Sequence, residues 1–213
     1  MAIRAVLFDL DGTLLDTLAD IAVSMNRALM DNGFPEHPID AYRYFVGDGV
    51  KTLARRVTGL NEGFEAVLKA YQAHYALERR NRTRPYEGIQ EMLESLSILK
   101  LPLCVFSNKP HTDTLDVVKG YFPKIAFASV RGQMEGVPVK PDPQGALQIA
   151  RELFLDPSDF LYVGDTGVDM DCANAAGMVP VGALWGFRTR EELLEHGAKH
   201  LIAHPAELLA LIR

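Results

Sequence analysis

The amino-acid sequence predicts an α/β fold, in which a doubly wound parallel-sheet core carries an inserted α-helical cap. Short apolar runs alternate with amphipathic helical segments over the later part of the 213-residue chain, which is typical of a parallel sheet covered by helices. Another apolar run, Ile3–Phe8, lies near the N-terminus. From about Asp16 to Thr83 the periodicity is helical, with no convincing strand. We therefore expect a core of residues 1–15 and 85–213 and a cap of residues 16–84.

The first predicted elements are one strand and the helices of the cap. Ile3–Phe8 is short, apolar and partly β-branched, which suits a buried strand. The next helix has helical spacing at Leu18, Ile21, Ala22, Met25 and Leu29, and Gly33 ends it. Shorter helices are predicted at Ile39–Val46 and Val50–Val57. A fourth helix follows from the spacing of Phe64, Val67, Leu68, Tyr71 and Tyr75.

The later elements complete the sheet, after Pro85 and Gly88 interrupt the helical pattern. The predicted strands are Leu101–Phe106, Ile125–Ser129, Phe160–Val163 and Val179–Ala183, with an edge strand at His200–Ala203. The predicted helices are Ile89–Leu99, Thr112–Tyr121, Gln144–Phe154, Asp169–Ala176 and Pro205–Ile212. Ligands of open parallel sheets bind beyond the carboxyl ends of the strands, so a cap that leaves from that end would act as a lid.

Composition and charge limit the classes of partner. The formal net charge of −6 argues against a nucleic-acid-binding surface, and we interpret the basic segment 79–84 as a solvated helix end. The two cysteines, Cys104 and Cys172, predict neither a disulfide framework nor a zinc site. The sequence shows no secretory pattern and no uncharged apolar run of membrane-spanning length. We expect a cytoplasmic protein with no membrane or nucleic-acid partner, and the sequence leaves monomer and homodimer open.

Two carboxylates follow the first predicted strand, in the segment Phe8-Asp9-Leu10-Asp11-Gly12-Thr13. Residues two apart on an extended chain point to the same side, so Asp9 and Asp11 can face one pocket unless the loop bends at Asp11. Gly12 allows a turn at this point. A solvated Asp-Gly turn is the alternative interpretation, because this pair is common in turns. Buried carboxylates, by contrast, would need a positive partner or a metal ion.

Three further polar motifs lie beside predicted elements of the core. They are Ser107-Asn108 after Leu101–Phe106, Lys140 in the loop before the helix at Gln144, and Gly164-Asp165 with Asp169 after Phe160–Val163. Because the carboxyl ends of parallel strands share one edge of the sheet, we expect these motifs to meet the acidic pair there. Each motif alone is also typical of an ordinary turn or cap, a surface lysine, or an acidic first helical turn.

The charges of this set predict a magnesium site. At an effective dielectric near 20, two carboxylates about 4 Å apart repel by roughly 4 kcal/mol. Asp9, Asp11, Asp165 and Asp169 would repel one another in this way, and Lys140 supplies only one positive charge. Mg²⁺ binds a few carboxylates together with waters and a phosphate. Because no His/Cys cluster is evident in the sequence, an all-oxygen site is a better hypothesis than a zinc site.

A phosphoryl group fits this set of residues, since its oxygens need positive charge, hydrogen-bond donors and an in-line nucleophile. Asp9 can attack phosphorus and form an aspartyl-phosphate. Asp11 can protonate the leaving alcohol and then activate water. Ser107, Asn108 and Lys140 can bind the phosphate oxygens. The residues therefore predict a small phosphorylated metabolite as the substrate.

Together these motifs resemble those of the haloacid dehalogenase superfamily of Mg²⁺-dependent phosphatases, over nearly the whole chain. The four signatures are Asp9-Leu10-Asp11-Gly12-Thr13, Ser107-Asn108-Lys109, Lys140-Pro141-Asp142-Pro143, and Gly164-Asp165 with Asp169. The resemblance implies a Rossmann-like core with a small helical cap. It implies that Asp9 is the nucleophile, that Asp11 is the general acid/base, and that Ser107, Asn108 and Lys140 hold the phosphate.

The same resemblance implies a ligand set for the metal. Mg²⁺ would be held by the Asp9 carboxylate, the Asp11 backbone carbonyl and Asp165. Asp169 would support the water ligands of the metal or orient Lys140. Thr13 is expected to be structural and to tie down the loop after the site.

Within the superfamily the chain is similar to the phosphoglycolate phosphatase-type branch, in the segments 46–50 and 184–188. This similarity implies hydrolysis of a small phosphomonoester such as 2-phosphoglycolate. Lys51, Arg55 and Arg56 of the cap are candidates to meet a substrate carboxylate. The alternatives within the superfamily are a β-phosphoglucomutase-like phosphosugar mutase, an inorganic pyrophosphatase and a nucleotidase. A signalling protein whose Asp9 accepts phosphate from a kinase is a further alternative, but receiver domains lack a helical insertion after the first strand.

Overall fold

Parallel strands form the centre of the molecule, whose computed structural model describes residues 3–212. The strands are β1 (Ala5–Phe8), β2 (Leu15–Asp16), β3 (Arg84–Pro85), β4 (Leu103–Pro110), β5 (Ser129–Gln133), β6 (Phe160–Gly164), β7 (Val179–Ala183) and β8 (His200–Ile202). Six of them form one sheet in the order β5-β4-β1-β6-β7-β8, and every pairing in it is parallel. The direction of strand order reverses at β1, so the loop that follows β1 lies where ligands bind in folds of this kind.

Helices of the core cover both faces of this sheet. In chain order, the helices of the molecule are α1 (Leu18–Asp31), α2 (Tyr42–Phe45), α3 (Val50–Thr58), α4 (Glu65–Glu78), α5 (Ile89–Ile98), α6 (His111–Tyr121), α7 (Gln144–Glu152), α8 (Gly167–Ala176) and α9 (Arg190–Glu195). Side chains of β1 alternate between two hydrophobic clusters. Val6 and Phe8 pack with α5 and α6, whereas Ala5 and Leu7 pack with α7 and α8. The predicted doubly wound α/β fold is confirmed.

The helices α1 to α4 share a hydrophobic cluster of their own. It includes Met25, Tyr42, Leu53 and Tyr71, and Phe187 reaches it from the other part of the chain. A short antiparallel ribbon, β2 with β3, lies on either side of this helical segment in the sequence, with Leu15 opposite Pro85. The ribbon is absent from the sequence prediction because two-residue strands have no readable periodicity. The division into residues 16–84 and the remainder stays a prediction.

The predicted position of the strand β5 along the chain is wrong. The strand occupies Ser129–Gln133 and not Ile125–Ser129. Ile125 and Phe127 lie in the preceding loop, where they are partly buried against the cluster beside β1. These two residues are apolar because they pack against this cluster and not because they belong to a strand of the sheet. At the edge position of β5, Arg131 is tolerated because it contacts Gln148 and Glu152 of α7.

The smaller differences lie at short helices. The segment predicted at Ile39–Val46 divides into a 3-10 turn, Ile39–Ala41, and α2. The last predicted helix is a 3-10 helix, Pro205–Leu211. α9 was not predicted, although Thr189 accepts a hydrogen bond from the Glu192 N–H as an N-cap. Within residues 3–212, no helix combines the length and the apolar character that crossing a membrane requires.

Candidate active site

The loop after β1 brings two carboxylates to the carboxyl end of the sheet. The Asp9 N–H donates to the Val163 carbonyl oxygen at 2.9 Å, which continues the pairing of β1 with β6. Gly12 has a φ of 90°, and its N–H donates to the Leu15 carbonyl oxygen at 2.8 Å, so the chain turns directly after Asp11. Asp9 and Asp11 nevertheless line one cavity, whose opposite wall comes from α1, α3 and α4.

Lys140 links Asp9 to Asp169. Its Nζ atom lies 2.8 Å from Asp9 Oδ1 and 2.7 Å from Asp169 Oδ1, and it donates to the Phe106 carbonyl oxygen at 3.2 Å. The Lys140 side chain is only 1% exposed. Burial disfavours the ammonium, but the charges of Asp169 and Asp9 outweigh this effect and hold the pKa of Lys140 above its usual value. Lys140 is therefore a buried, permanently charged cation.

Asp165 follows β6 and is completely buried. Thr13 Oγ1 donates to Asp165 Oδ1 at 2.7 Å, and the Phe187 N–H donates to Oδ2 at 2.8 Å. A Cβ atom at Gly12 or at Gly186 would collide with the same carboxylate. The loops after β1, β6 and β7 thus enclose Asp165 closely, and Thr13 belongs to this enclosure through its hydrogen bond.

Asp169 lies in the first turn of α8 and uses its two oxygens differently. Oδ2 accepts hydrogen bonds from the N–H and the hydroxyl of Thr166, at 3.1 and 2.7 Å, which completes a capping box at the helix N-terminus. Oδ1 faces Lys140. Of the two roles considered for Asp169, the structure provides the contact with Lys140.

Three buried carboxylates lie close enough to share one cation. Asp9, Asp165 and Asp169 each offer an oxygen within 4.8 Å of the other two. Burial raises the pKa of Asp9 to about 7, with Asp169 adding to the effect and Lys140 opposing it. Burial, followed by the charges of Asp169 and Asp9, also raises the pKa of Asp165 well above its usual value. One ammonium does not balance these three acids.

The donor set fits Mg²⁺. Asp9 Oδ1 is buried, and its contact with Lys140 lies outside hydrogen-bond geometry, so this oxygen has no hydrogen-bond donor. Lys140 supplies one positive charge to a group of three buried carboxylates, so a further cation would offset the charge that remains. Mg²⁺ accepts carboxylate oxygens together with waters and phosphate oxygens. Asp9 and Asp165 of the predicted ligand set lie together, whereas the Asp11 carboxylate is not part of this group.

Ser107 and Asn108 also line the cavity, but they lie within β4 and not beyond its end. The strand continues to Pro110 with a register irregularity after Phe106. Asn108 Oδ1 accepts the Lys140 N–H at 2.8 Å, and Nδ2 donates to the carbonyl oxygens of Lys140 and Gly47 at 3.1 and 3.0 Å. The Asn108 side chain therefore holds the Lys140 loop, and both of its amide hydrogens are engaged.

Comparison with known proteins identifies the family. A family model described as haloacid dehalogenase-like hydrolase matches residues 6–183. The chain belongs to this family. The predicted resemblance is confirmed.

The relatives of this haloacid dehalogenase-like hydrolase include phosphoglycolate phosphatases. That of Aquifex aeolicus is 34% identical over 190 residues, which cover 86% of each chain. That of Haemophilus influenzae is 28% identical over 215 residues, which cover 96% of each chain. The crystal structure of a predicted phosphoglycolate phosphatase from Haemophilus somnus has a TM-score of 0.93 at 25% identity, and covers 99% of this chain and 98% of that one.

Lys109 has no predicted role in this hydrolase, yet its ammonium group lies at the cavity. Nζ lies 3.1 Å from each carboxylate oxygen of Asp11 and 4.6 Å from the centre of the Tyr75 ring of α4. The side chain is 4% exposed. The available signal in the sequence is its place in the Ser107-Asn108-Lys109 signature, next to two predicted phosphate ligands.

The wall that the helical segment contributes to the cavity is apolar. It consists of Ile21, Val46, Val50, Leu53, Tyr71 and Tyr75. The cap cations suggested by the sequence do not line it. Lys51 is exposed, Arg55 lies over the Phe64 ring, and Arg56 pairs with Asp48 at 2.6 Å. The structure does not bring these three side chains to the site.

The basic segment 79–84 of the hydrolase is largely exposed at the end of α4, as predicted, but several of its groups also have specific partners. Arg79 pairs with Asp113 and Asp116 of α6 at 2.7 and 2.9 Å, and Arg80 pairs with Asp116 at 2.8 Å. The Arg82 N–H donates to the buried Asp20 carboxylate of α1. These contacts hold the end of α4 against the core helix α6, a role that local sequence does not reveal.

Proposed function

We propose that this hydrolase is a Mg²⁺-dependent phosphatase that hydrolyses a small phosphomonoester through an aspartyl-phosphate on Asp9. The observation that carries the proposal is the convergence of Asp9 with Lys140 and the buried acidic group, in a cavity that Asp11 also lines. The names of the relatives from Aquifex aeolicus and Haemophilus influenzae favour 2-phosphoglycolate as the ester. We further propose that the protein is cytoplasmic and acts as a monomer or homodimer.

Asp9 is the proposed nucleophile, and it must be ionised to attack. Lys140 at 2.8 Å favours the carboxylate, whereas burial raises the pKa of Asp9 to about 7. Mg²⁺, when bound by Asp9 and Asp165, supplies the further positive charge that the carboxylate and the phosphoryl oxygens need. The attack forms the bond between an Asp9 oxygen and phosphorus, and it breaks the bond between phosphorus and the ester oxygen.

Asp11 is the proposed acid and base. In the first step it gives a proton to the departing ester oxygen, which leaves as the alcohol. In the second step it removes a proton from the water that attacks the aspartyl-phosphate, which releases inorganic phosphate and restores the Asp9 carboxylate. The glycine turn after Asp11 directs this second carboxylate to the cavity at a point separate from the buried acidic group.

Of the three residues predicted to hold the phosphate, Ser107 and Lys140 are the proposed ligands, and Asn108 is the proposed positioning residue. Lys140 offers a charge that is already fixed by Asp9 and Asp169. Ser107 offers its hydroxyl, which accepts the Lys109 N–H at 3.2 Å and retains its own hydrogen to donate. Because the side-chain amide hydrogens of Asn108 are engaged, its contribution is to position Lys140.

Phosphate release from purified protein tests the proposal. The panel contains 2-phosphoglycolate, sugar phosphates, nucleotides and pyrophosphate, each with Mg²⁺ and with chelator. We expect release that requires Mg²⁺, loss of turnover in Asp9→Asn, and unchanged turnover in Asp40→Asn, a matched change at a 93% exposed aspartate.

Two results would overturn the assignment. One is the absence of release from every ester by folded protein with Mg²⁺, and the other is full activity of Asp9→Asn. Conversion of β-glucose 1-phosphate to the 6-phosphate without free phosphate would indicate a mutase instead.

A further inference from the structure

The cavity presents one cation to the leaving group. Among the described residues that line it, Lys109 is the only lysine or arginine, and the wall from α1, α3 and α4 is apolar. Lys140 is engaged deeper in the site by Asp9 and Asp169. Among the lysines and arginines of the described residues, Lys109 is therefore the one placed on the cavity lining to meet a negative charge on the alcohol part of a substrate.

The contacts of Lys109 allow its ammonium group to exchange one carboxylate partner for another. The other acidic residue on the same side of the cavity, Asp113, is paired with Arg79 at 2.7 Å. Asp11 is the carboxylate that balances Lys109, through two contacts of 3.1 Å. Asp11 is also the group proposed to act on the ester oxygen, so Lys109 lies next to the place where the alcohol departs.

We propose that Lys109 is the specificity-determining residue for a carboxylate on the leaving alcohol, which takes the place of Asp11 on the ammonium group. This inference rests on the phosphatase function proposed above. In a phosphate ester of a 2-hydroxy acid, the carbon that bears the ester oxygen is bonded directly to the carboxylate carbon, so a carboxylate oxygen and the ester oxygen lie about 3 Å apart by standard bond lengths. Lys109, which lies within hydrogen-bond distance of the acid/base residue, is within reach of such a carboxylate.

Tyr75 fixes the ammonium group for this purpose. Its ring lies 4.6 Å from Lys109 Nζ and stacks on Tyr71 at a centroid distance of 5.4 Å. The aromatic face attracts the cation and excludes water from one side of it. A shielded ammonium group discriminates strongly between charged and neutral substrates, because a neutral substrate group cannot replace the Asp11 carboxylate as its partner.

The exchange also connects substrate choice to catalysis. While Lys109 holds both oxygens of Asp11, both oxygens are engaged and neither is free for an ester oxygen. A substrate carboxylate on Lys109 releases Asp11 to contact the ester oxygen. A neutral alcohol leaves the Asp11–Lys109 pair intact and is expected to react slowly.

A pair of esters that differ only in charge tests the proposal. The value of kcat/KM is measured for 2-phosphoglycolate and for its carboxamide, with wild-type protein, Lys109→Met and Lys109→Gln. Lys51→Met, the same change at an exposed lysine of α3, is the control. We expect the wild-type ratio to favour the carboxylate by at least about 30-fold, the effect of removing one partner of a buried charge pair. The ratio should approach one in both Lys109 variants and stay unchanged in Lys51→Met.

The ratio of kcat/KM for the two esters distinguishes recognition of the carboxylate by Lys109 from a purely structural role of this residue. Loss of Asp11 positioning in the Lys109 variants would lower kcat/KM for both esters alike, which leaves the ratio unchanged and overturns the proposal. A wild-type ratio near one overturns it without any variant. If neither of these two esters releases phosphate, 2-phosphoglycolate is not a substrate, and the phosphatase proposal is decided by the other esters of the panel. Calorimetric binding of the two esters to wild-type and Lys109→Met protein then decides the role of Lys109 separately.

Discussion

Replacement of Lys140 by methionine gives the sharpest test of how the site is held together. The substitution keeps most of the length of the side chain and removes the charge. It leaves Asp9 and Asp169, which lie 2.8 and 2.7 Å from the ammonium group, without their shared cation. The Asp169 side chain is fully buried and that of Asp9 is 9% exposed, so water cannot replace the lost partner.

The expected cost follows from this burial. Removal of one partner from a buried ion pair destabilises a protein by about 3–5 kcal/mol, because the remaining charge is uncompensated. Protonation of Asp9 limits this loss of stability. Lys140 lowers the pKa of Asp9, so that pKa rises above about 7 in Lys140→Met, and the protonated form is favoured in the folded state. Because the pKa of Asp9 is higher in the folded protein than in the unfolded chain, the free energy of unfolding falls as the pH rises through the folded pKa. The loss of stability in Lys140→Met should therefore be about 1 kcal/mol smaller at pH 7 than at pH 8.

Urea unfolding with chelator, at pH 8 and pH 7, measures both effects. Lys119→Met, at an exposed position in α6, is the matched control and should change the free energy of unfolding by less than about 0.5 kcal/mol. A loss below about 1 kcal/mol in Lys140→Met, equal at the two pH values, would refute the reasoning that Lys140 is the essential counter-charge of these carboxylates.

Three further outcomes are expected. Asp11→Asn should still form some aspartyl-phosphate, seen by intact mass after rapid quenching, but should slow both its formation and its hydrolysis; a wild-type rate would remove Asp11 from the acid/base role. In metal-free protein the raised pKa values of Asp9 and Asp165 mean that the protonated forms favour folding. The Tm should therefore fall as the pH rises from about 5 to 8, and Mg²⁺ should restore it at pH 8; an equal Tm with and without Mg²⁺ would contradict the metal site. Asp20→Ala should cost about 1–3 kcal/mol in urea unfolding, because the Thr83 N–H and hydroxyl, each 2.8 Å from Asp20 Oδ2, lose their acceptor.

The elements that were predicted well are those whose signal is local and strong. β1 and β7 are apolar runs with turns at their ends, and α1 has an apolar stripe at helical spacing, so period and length suffice to place them. β5 was misplaced because Ile125 and Phe127 satisfy the same pattern while packing from a loop. The ribbon of β2 and β3 depends on two segments about 70 residues apart in the chain, and no local pattern encodes that pairing.

The candidate site divides in the same way. Asp9, Asp165 and Asp169 could be found from the sequence because each follows a strand of a parallel sheet, which brings them to one edge. Lys109 was missed because a lysine after a strand is ordinarily a surface residue. Lys51, Arg55 and Arg56 were considered as site residues because charge alone does not show which face of α3 meets the cavity.

The order of the main strands and helices, the family and a set of candidate reacting groups can be read from the chain alone, because hydrophobic period and strand-end motifs are properties of neighbouring residues. The pairing of charges cannot be read in this way. Asp11 lies against a lysine 98 residues later, and the pKa of Asp9 depends on burial and on Asp169, which another strand and helix supply. Such interactions fall off with distance and depend on exclusion of water, so the packing of the loops and of α4 decides which charges meet.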